Sequence, residues 1–462
     1  MHGDLESSEA LREHDISSVL HPFTNAVAHA QTGPDVIVRG EGIRVFDQSG
    51  QAYLDGMAGL WGVSLGYSES RLIEAAERQL KQLPYFHSFS HKSHPSAILL
   101  ARKLLSMLPV PMSKVFFTNS GSESVETAIK LAWYYWNGLN RPTKKKIIAR
   151  ERAYHGVNVV SGSATGLPVV HNGFDMPLDV ISRVPCPHYW RHGKSGESEQ
   201  EFSKRMAAEI EAVILNVGPE NVAAFIAEPV MGAGGVIVPP EGYFPAVQKI
   251  LDQYEILMIA DEVICGFGRT GRMFGTETFN IRPDIMTFAK QLSSSYLPIG
   301  AVAISQTVFE AVAAASNVHG VFGHGYTYSG HPVSAAVALE ALNIYEERDV
   351  VGRVQRIGPY FQSRLRELEK HPLVGEVRGV GLIAAVELVA DKASKKVFQP
   401  LGKVGAFVER RAYEKGLITR ALPASDSLAL CPPMICTEAE LDEIIDKLKM
   451  AVDEALDFSA AA

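Results

Sequence analysis

Lys290 closes the apolar run Asp284-Ile-Met-Thr-Phe-Ala and precedes the polar stretch Gln291-Leu-Ser-Ser-Ser-Tyr-Leu-Pro-Ile-Gly300. An ammonium at the exit of a buried strand loses hydration, which lowers its pKa and suits it to Schiff-base chemistry with a carbonyl; most lysines, by contrast, are solvated surface charges. Asp261 and Glu262 follow a second apolar run, at the sheet edge where open α/β folds gather their ligands. A carboxylate there can keep a pyridinium nitrogen protonated, as an electron-sink cofactor such as pyridoxal phosphate requires; a metal ligand or a helix N-cap fits the same position equally well. Thr118-Asn119-Ser120-Gly121-Ser122-Glu123 stands between a strand-like run and an amphipathic segment. Small residues at a helix N-terminus let backbone N–H groups cradle a phosphate, while a plain N-cap by Ser120 or Ser122 is the simpler alternative.

Two other chemistries are weaker on these residues. Gly266-Phe-Gly268-Arg-Thr-Gly271 matches G-x-G-x-x-G, but no helical period follows it and no acidic strand end stands at the required distance, so a bent active-site loop is expected rather than a nicotinamide or flavin site. Cys186, Cys265, Cys431 and Cys436 are too scattered for a disulfide framework or a zinc knuckle and are expected to be free thiols. His87, His91 and His94 read as a polar entrance, and no metal site is expected.

The elements that must position these residues alternate short apolar, β-branched runs with stretches of helical period, the pattern of an α/β unit with a largely parallel sheet. Buried strands are predicted at 115–118, 146–150, 223–228, 256–263 and 284–289, and helices at 122–136, 201–217 and 241–254. Toward the C-terminus the pattern predicts helices at 332–347, 351–370 and 404–415, a strand at 375–388 and a last helix from Thr437, whose Thr437 and Glu440 stand in capping-box spacing. Strand-like runs at 35–38 and 44–47 can pack beside that region. The expected organisation is an N-terminal segment 1–69 and a C-terminal part 334–462 that together form a smaller α+β domain, around a large domain at 70–333.

With 44 basic against 52 acidic residues the chain carries a formal charge of −8, which offers no field to concentrate nucleic acid or anionic lipid. No apolar run approaches the ~20 residues of a membrane-spanning helix. The first twenty residues, with Asp4, Glu6, Glu9, Glu13 and Asp15, lack the basic start and apolar stretch of a secretion signal, so a cytoplasmic location is expected.

The ordered set Asn119-Ser-Gly-Ser-Glu123, Tyr154-His155-Gly156, Glu228-Pro229, Asp261-Glu262-Val263-Ile-Cys-Gly-Phe-Gly-Arg-Thr-Gly271, Lys290 and Gly325-Tyr-Thr327-Tyr-Ser-Gly330-His-Pro resembles the class III, or ω-, aminotransferases, from about Leu20 to the final helix. The resemblance implies pyridoxal 5'-phosphate as cofactor on the fold-type I scaffold. It implies Lys290 as the covalent anchor and proton carrier, Asp261 at the ring nitrogen, Tyr154 and Val263 on the two ring faces, Gly121 and Ser122 at the phosphate, and Glu228 beside the ring. It also implies that Thr327 reaches the phosphate of a neighbouring subunit, so that a homodimer is the smallest active unit and a tetramer remains open. The reaction implied is ping-pong transfer of an amino group from a primary amine or ω-amino acid to pyruvate. Aminomutases and decarboxylases share the same scaffold and cofactor residues.

For substrate, Trp61 with Phe23, Tyr85 and Phe89 can line an apolar pocket, with core packing as the alternative for Phe23 and Tyr85. Arg420 matches the mobile carboxylate-binding arginine of the amine:pyruvate branch, with a surface ion pair as its alternative. One stretch departs from the family pattern: after the lysine the chain reads Gln291-Leu-Ser-Ser-Ser295 where the family usually has glycine at both ends. A positive φ at Ser295 would then strain the turn.

Overall fold

In the computed structural model residues 7–422 and 424–461 are described; Asp4 and Glu6 of the acidic start lie outside them. Seven strands form the central sheet: β1 (Lys114–Thr118), β2 (Lys146–Arg150), β3 (Ile181–Val184), β4 (Val222–Ala227), β5 (Leu257–Asp261), β6 (Ile285–Phe288) and β7 (Gly300–Ile304). Their spatial order is β1-β7-β6-β5-β4-β2-β3, and only β7 runs antiparallel to its neighbours. Every residue of β4, β5, β6 and β7 is buried, which is why these strands read as continuous apolar runs rather than alternations.

The helix Gly121–Gly138 covers one face of this sheet. Its Val125, Ala128, Ile129, Ala132 and Trp136 recur at three- and four-residue spacing and share a core with Ile259, Ile285 and Val302. Full burial of a large aliphatic side chain stabilises the fold by about 1.5–3 kcal/mol, so this stripe anchors the helix whose first turn carries Gly121 and Ser122. The helix Pro332–Glu347 packs against Ser70–Gln82, Pro95–Met107 and the turn Lys290–Ser293.

Two four-stranded sheets join the ends of the chain. Ile37–Glu41, Arg44–Asp47 and Ala52–Asp55 pair antiparallel, and Leu417–Ile418 adds to them in parallel through Leu417 opposite Leu54. Val374–Val380, Ile383–Leu388, Ser427–Leu430 and Arg420–Leu422 form the other. The fold is thus α/β with a mostly parallel central sheet and smaller sheets drawn from the N- and C-terminal segments.

Three sequence expectations need correction. The stretch 375–388 is a hairpin rather than one strand, because Gly381, at φ 57°, turns the chain and its carbonyl accepts from Gln362 Nε2 at 3.0 Å. The run 256–263 leaves the sheet after Asp261, and the helix from Val350 closes at Arg366 before a 3₁₀ turn. The final helix does open on Thr437 and Glu440 in a reciprocal cap, with Thr437 N to Glu440 Oε2 at 2.8 Å and Glu440 N to Thr437 Oγ1 at 3.3 Å. All four cysteines are buried and free.

Candidate active site

Five parallel strands deliver side chains to one edge. Gly121 and Ser122 follow β1, Tyr154 follows β2, Glu228 follows β4, Asp261 ends β5, and Lys290 follows β6. Together with His155, Gly156, Val263 and Ile264 they line a cleft with about 460 Å³ of empty space. Asp261 and Lys290 meet there because β5 and β6 are adjacent, with Asp261 opposite Thr287.

The Asp261 carboxylate is held on both oxygens. Oδ2 lies 2.7 Å from His155 Nδ1, and Oδ1 accepts from Thr287 Oγ1 at 3.1 Å and Val263 N at 3.2 Å. Glu228 is held likewise, Oε1 accepting from Tyr154 N at 3.0 Å and Oε2 from Gly232 N at 2.9 Å. Burial raises the Glu228 carboxyl above its ordinary range. Burial also pulls the Lys290 ammonium below its ordinary pKa, against the opposing pull of Asp261 and Glu228, which favours the neutral amine that attacks a carbonyl.

Glu262, adjacent to Asp261 in sequence, points elsewhere. Its oxygens accept from Thr276 N at 2.6 Å and Gly275 N at 3.0 Å, so it caps the short turn Gly275–Thr278. Of the two carboxylates at this strand end, only Asp261 faces the cleft. The loop Gly266–Gly271 is bent as expected but does not line the cleft; Arg269, fully buried, ties it to the Leu382 and Pro432 carbonyls.

The phosphate-type turn is built as a cap and a gap. Ser120 Oγ accepts from Glu123 N at 3.2 Å, and Glu123 Oε2 accepts from Asn119 N at 2.8 Å. A Cβ on Gly121 would stand 3.0 Å from Val263 Cγ1, and one on Gly156, at φ 125°, would stand 2.7 Å from Ser122 Oγ. These glycines keep the backbone open where an anion must approach.

The lysine turn confirms the strain expected at Ser295. Lys290, Ser294 and Ser295 have φ of 45°, 50° and 58°, left-handed conformations that usually fall to glycine. Compensating bonds hold it: Ser294 Oγ accepts from Leu65 N at 3.0 Å, Tyr345 Oη donates to the Gln291 carbonyl at 2.6 Å, and Gln291 Nε2 donates to the Ile264 carbonyl at 2.8 Å.

Other expected residues are distributed around this cleft. Trp61 is buried in a cluster with Ile264 and Cys431, and a Cβ on the adjoining Gly62 would stand 3.2 Å from Lys290 Cβ. Arg420 opens the strand Arg420–Leu422 and its charge acts on Tyr154 and Lys290. Phe23, Tyr85, Phe89 and Thr327 do not line the cleft within one chain; they are exposed, and Tyr85 Oη donates to the Thr327 carbonyl at 2.8 Å. His94 caps the helix Pro95–Met107 and faces the Gly330 carbonyl at 2.8 Å, while His87 and His91 stay peripheral. Sequence reasoning did not assign His155, Gly156 or Ile264 to the site. The first two were signalled by their place beside Tyr154 just after a strand, whereas nothing local marked Ile264.

A lysine and a carboxylate on adjacent strand ends, facing a glycine-lined helix N-terminus, are the donor set of the fold-type I pyridoxal-phosphate enzymes. The buried His155 Nε2, which has no hydrogen-bond partner among the described residues, and the space kept by Gly121 and Gly156 fit a group bound in the cleft. The family model described as aminotransferase class-III matches residues 26–452. The chain is 48% identical over 450 residues to gamma aminobutyrate transaminase 1, mitochondrial, of Solanum lycopersicum, covering 95% of this chain and 87% of that one. It is 46% identical over 452 residues to an uncharacterised aminotransferase of Sinorhizobium fredii, covering 97% of each. The crystal structure of the omega transaminase from Pseudomonas jessenii in complex with PMP superposes with a TM-score of 0.96 at 54% identity, over 97% of this chain and 99% of that chain. The protein belongs to the class III aminotransferases and uses pyridoxal phosphate.

Proposed function

We propose that the protein transfers the amino group of a primary amine or ω-amino acid to pyruvate, in two half-reactions that alternate at one site. The observation that carries this reading is Arg420. Its charge acts on Tyr154, on Lys290 and on the Glu409 carboxyl, yet no hydrogen bond or salt bridge of its guanidinium is present among the described residues. A guanidinium left free beside the cleft can pair bidentately with a carboxylate, and its long stem can swing aside for an amine that lacks one.

Bound pyridoxal phosphate supplies a carbonyl and an electron sink. In this reading Lys290 anchors it and carries the proton to and from the substrate carbon. Asp261 keeps the ring nitrogen protonated, and Gly121 and Ser122 receive the phosphate. Tyr154 and Val263 flank the ring, and Glu228 orients the groups around it. Trp61, Tyr154 and Arg420 contact substrate, and Phe89, which does not line the cleft of its own chain, does so only across the dimer that this reading proposes.

The same reading makes the active unit a homodimer, or a tetramer built from two such dimers, in which Thr327 serves the neighbouring phosphate. Support comes from an exposed apolar patch: Tyr85, Phe86, Phe89 and Tyr328 are all exposed, and the Tyr85 and Tyr328 rings lie 5.7 Å apart beside Thr327. The four buried free thiols support a reducing compartment, and we place the protein in the cytoplasm. Among the described residues no helix is long and apolar enough to cross a membrane.

The test is spectroscopic. Protein loaded with pyridoxal phosphate is mixed with 1-phenylethylamine, β-alanine or γ-aminobutyrate, and then with pyruvate. The expected result is loss of the visible absorbance with amine, its return with pyruvate, formation of alanine, and no cycle in Lys290→Ala. Release of carbon dioxide from an amino acid, with no keto acid consumed, would replace this reading by a decarboxylase.

A further inference from the structure

We propose that Asp15, His21 and His29 form a binding site for a divalent transition metal of the zinc type, which clasps the N-terminal helical hairpin. The two helices, Ser8–Ser18 and Ala26–Thr32, bury none of their residues. A segment with so little apolar burial needs another source of order. The three side chains supply a candidate. His21 Nε2 lies 2.9 Å from Asp15 Oδ1 and His29 Nε2 lies 2.8 Å from the same oxygen, with the two imidazole rings 4.2 Å apart.

Two imidazole nitrogens and one carboxylate thus converge, all within 4.8 Å of one another. Tetrahedral coordination at the usual bond lengths of about 2.0–2.2 Å requires donors roughly 3.4 Å apart, so each imidazole nitrogen, now 2.8–2.9 Å from Asp15 Oδ1, draws back by about 0.5 Å to admit the ion. Each neutral histidine supplies its Nε2 lone pair once its proton sits on Nδ1, so binding exchanges the hydrogen bonds to Asp15 for metal bonds. Mixed imidazole and carboxylate donors suit zinc, nickel or copper rather than magnesium, which prefers oxygen. Both histidines border a surface cleft with Ile16, Leu20, Thr24 and Ala26, through which water can take the remaining position.

One other trio of potential ligands converges among the described residues, His188, Glu376 and Glu387. There Arg378 already bridges the two carboxylates and Arg191 pairs with Glu387, so fixed cations occupy the place of an ion. Among the described residues no arginine or lysine pairs with Asp15.

The clasp bears on the active-site mouth. Phe23, in the turn joining the two helices, shares a cavity with Val157, Val169 and Phe174, and Val157 directly follows Gly156 of the cleft. Ordering the hairpin fixes that wall.

The experiment uses tag-free, full-length protein loaded with pyridoxal phosphate and dialysed against a chelator. Calorimetry with Zn²⁺ is expected to give about one equivalent per chain, with Mg²⁺ giving none. Affinity should fall at least about tenfold in Asp15→Asn and in the double variant His21→Gln/His29→Gln, with cofactor content unchanged. His21→Cys should restore a site whose Co²⁺ form gains thiolate charge-transfer absorption, and the buried native thiols do not supply that signal. Zn²⁺ should also slow tryptic cleavage at Arg12 in the native chain only. No binding in the native chain, or Zn²⁺ binding of equal affinity and stoichiometry in the double variant, overturns the proposal. Neither result touches the aminotransferase reading.

Discussion

His155 Nδ1 stands 2.7 Å from Asp261 Oδ2, with both side chains buried at the end of β5. Asp261 is therefore not a lone carboxylate but one whose orientation is fixed by His155 on one oxygen, while its other oxygen is occupied by Thr287 and Val263. A hydrogen bond to a charged partner contributes about 1.5–3 kcal/mol. His155→Ala should lower kcat by roughly 10- to 100-fold, leave the pyruvate KM within about twofold, and shift the pH at which the visible absorbance of the loaded protein titrates. An unaltered kcat would show that Thr287 and Val263 suffice to hold Asp261.

The sequence already carried the strands that are buried on both faces and the loops that leave them, because continuous apolar runs and the small residues after them are local signals. Lys290, Asp261 and Gly121 were legible in this way, and Tyr154 only through the family resemblance. Three things were not. The hairpin at Gly381 hid inside one apolar run, since a two-residue turn barely interrupts hydropathy. The antiparallel course of β7 is a property of pairing, which no single segment encodes. The different duties of Asp261 and Glu262 follow from strand alternation, which sends neighbours to opposite faces, and Gly275 and Thr276, whose N–H groups donate to Glu262, lie more than ten positions away.

Glu262 also makes a pH prediction. Complete burial pushes its carboxyl up to about 7, against the hydrogen bonds from Thr276 and Gly275 that pull it down. A folded-state pKa above the unfolded value means that the folded state binds the extra proton between about pH 4.5 and about pH 7, so stability falls as pH rises through that window and levels off above it. The term amounts to about 3 kcal/mol. Glu262→Gln removes the slope at the cost of one accepted hydrogen bond, about 1 kcal/mol. Urea midpoints from about pH 5 to about pH 8 should show native protein losing ground to the variant. Parallel profiles would mean that the carboxyl does not titrate in that window.

The lysine turn predicts opposite effects for neighbouring substitutions. Ser294 and Ser295 both hold φ near the left-handed region, at 50° and 58°. Ser294 offsets that strain by accepting a hydrogen bond from Leu65 N, whereas among the described residues no hydrogen bond of the Ser295 side chain accompanies its contact with Gly62. Ser295→Gly should therefore stabilise the protein by about 1 kcal/mol through relief of the left-handed conformation. Ser294→Gly gains the same relief but leaves a buried N–H without its acceptor, a loss of about 1–3 kcal/mol, and should be neutral or destabilising. Thermal unfolding of the two loaded variants distinguishes them, and equal shifts would show that the Leu65 contact carries no weight.

The role proposed for Arg420 is to distinguish the two substrates that the site would accept in turn. It stands on the short edge strand Arg420–Leu422, paired with Ala429, at the margin of the cleft rather than inside the central sheet. Its charge reaches Lys290, where it disfavours the ammonium, and Tyr154, where it opposes the rise that burial imposes on the phenol. Arg420→Met keeps the stem and removes the charge, so it separates carboxylate recognition from packing. If the guanidinium receives the keto acid, the pyruvate KM should rise by roughly 10- to 100-fold, the equivalent of one lost charge-assisted pair, while the KM of an amine donor without a carboxylate stays within about twofold. The same substitution should weaken γ-aminobutyrate as donor, because that molecule keeps its carboxylate in the half-reaction where 1-phenylethylamine has none. A variant that lost both donors equally would instead place Arg420 among the groups that set the electrostatics of Lys290, and the assignment of the carboxylate site would move elsewhere in the cleft.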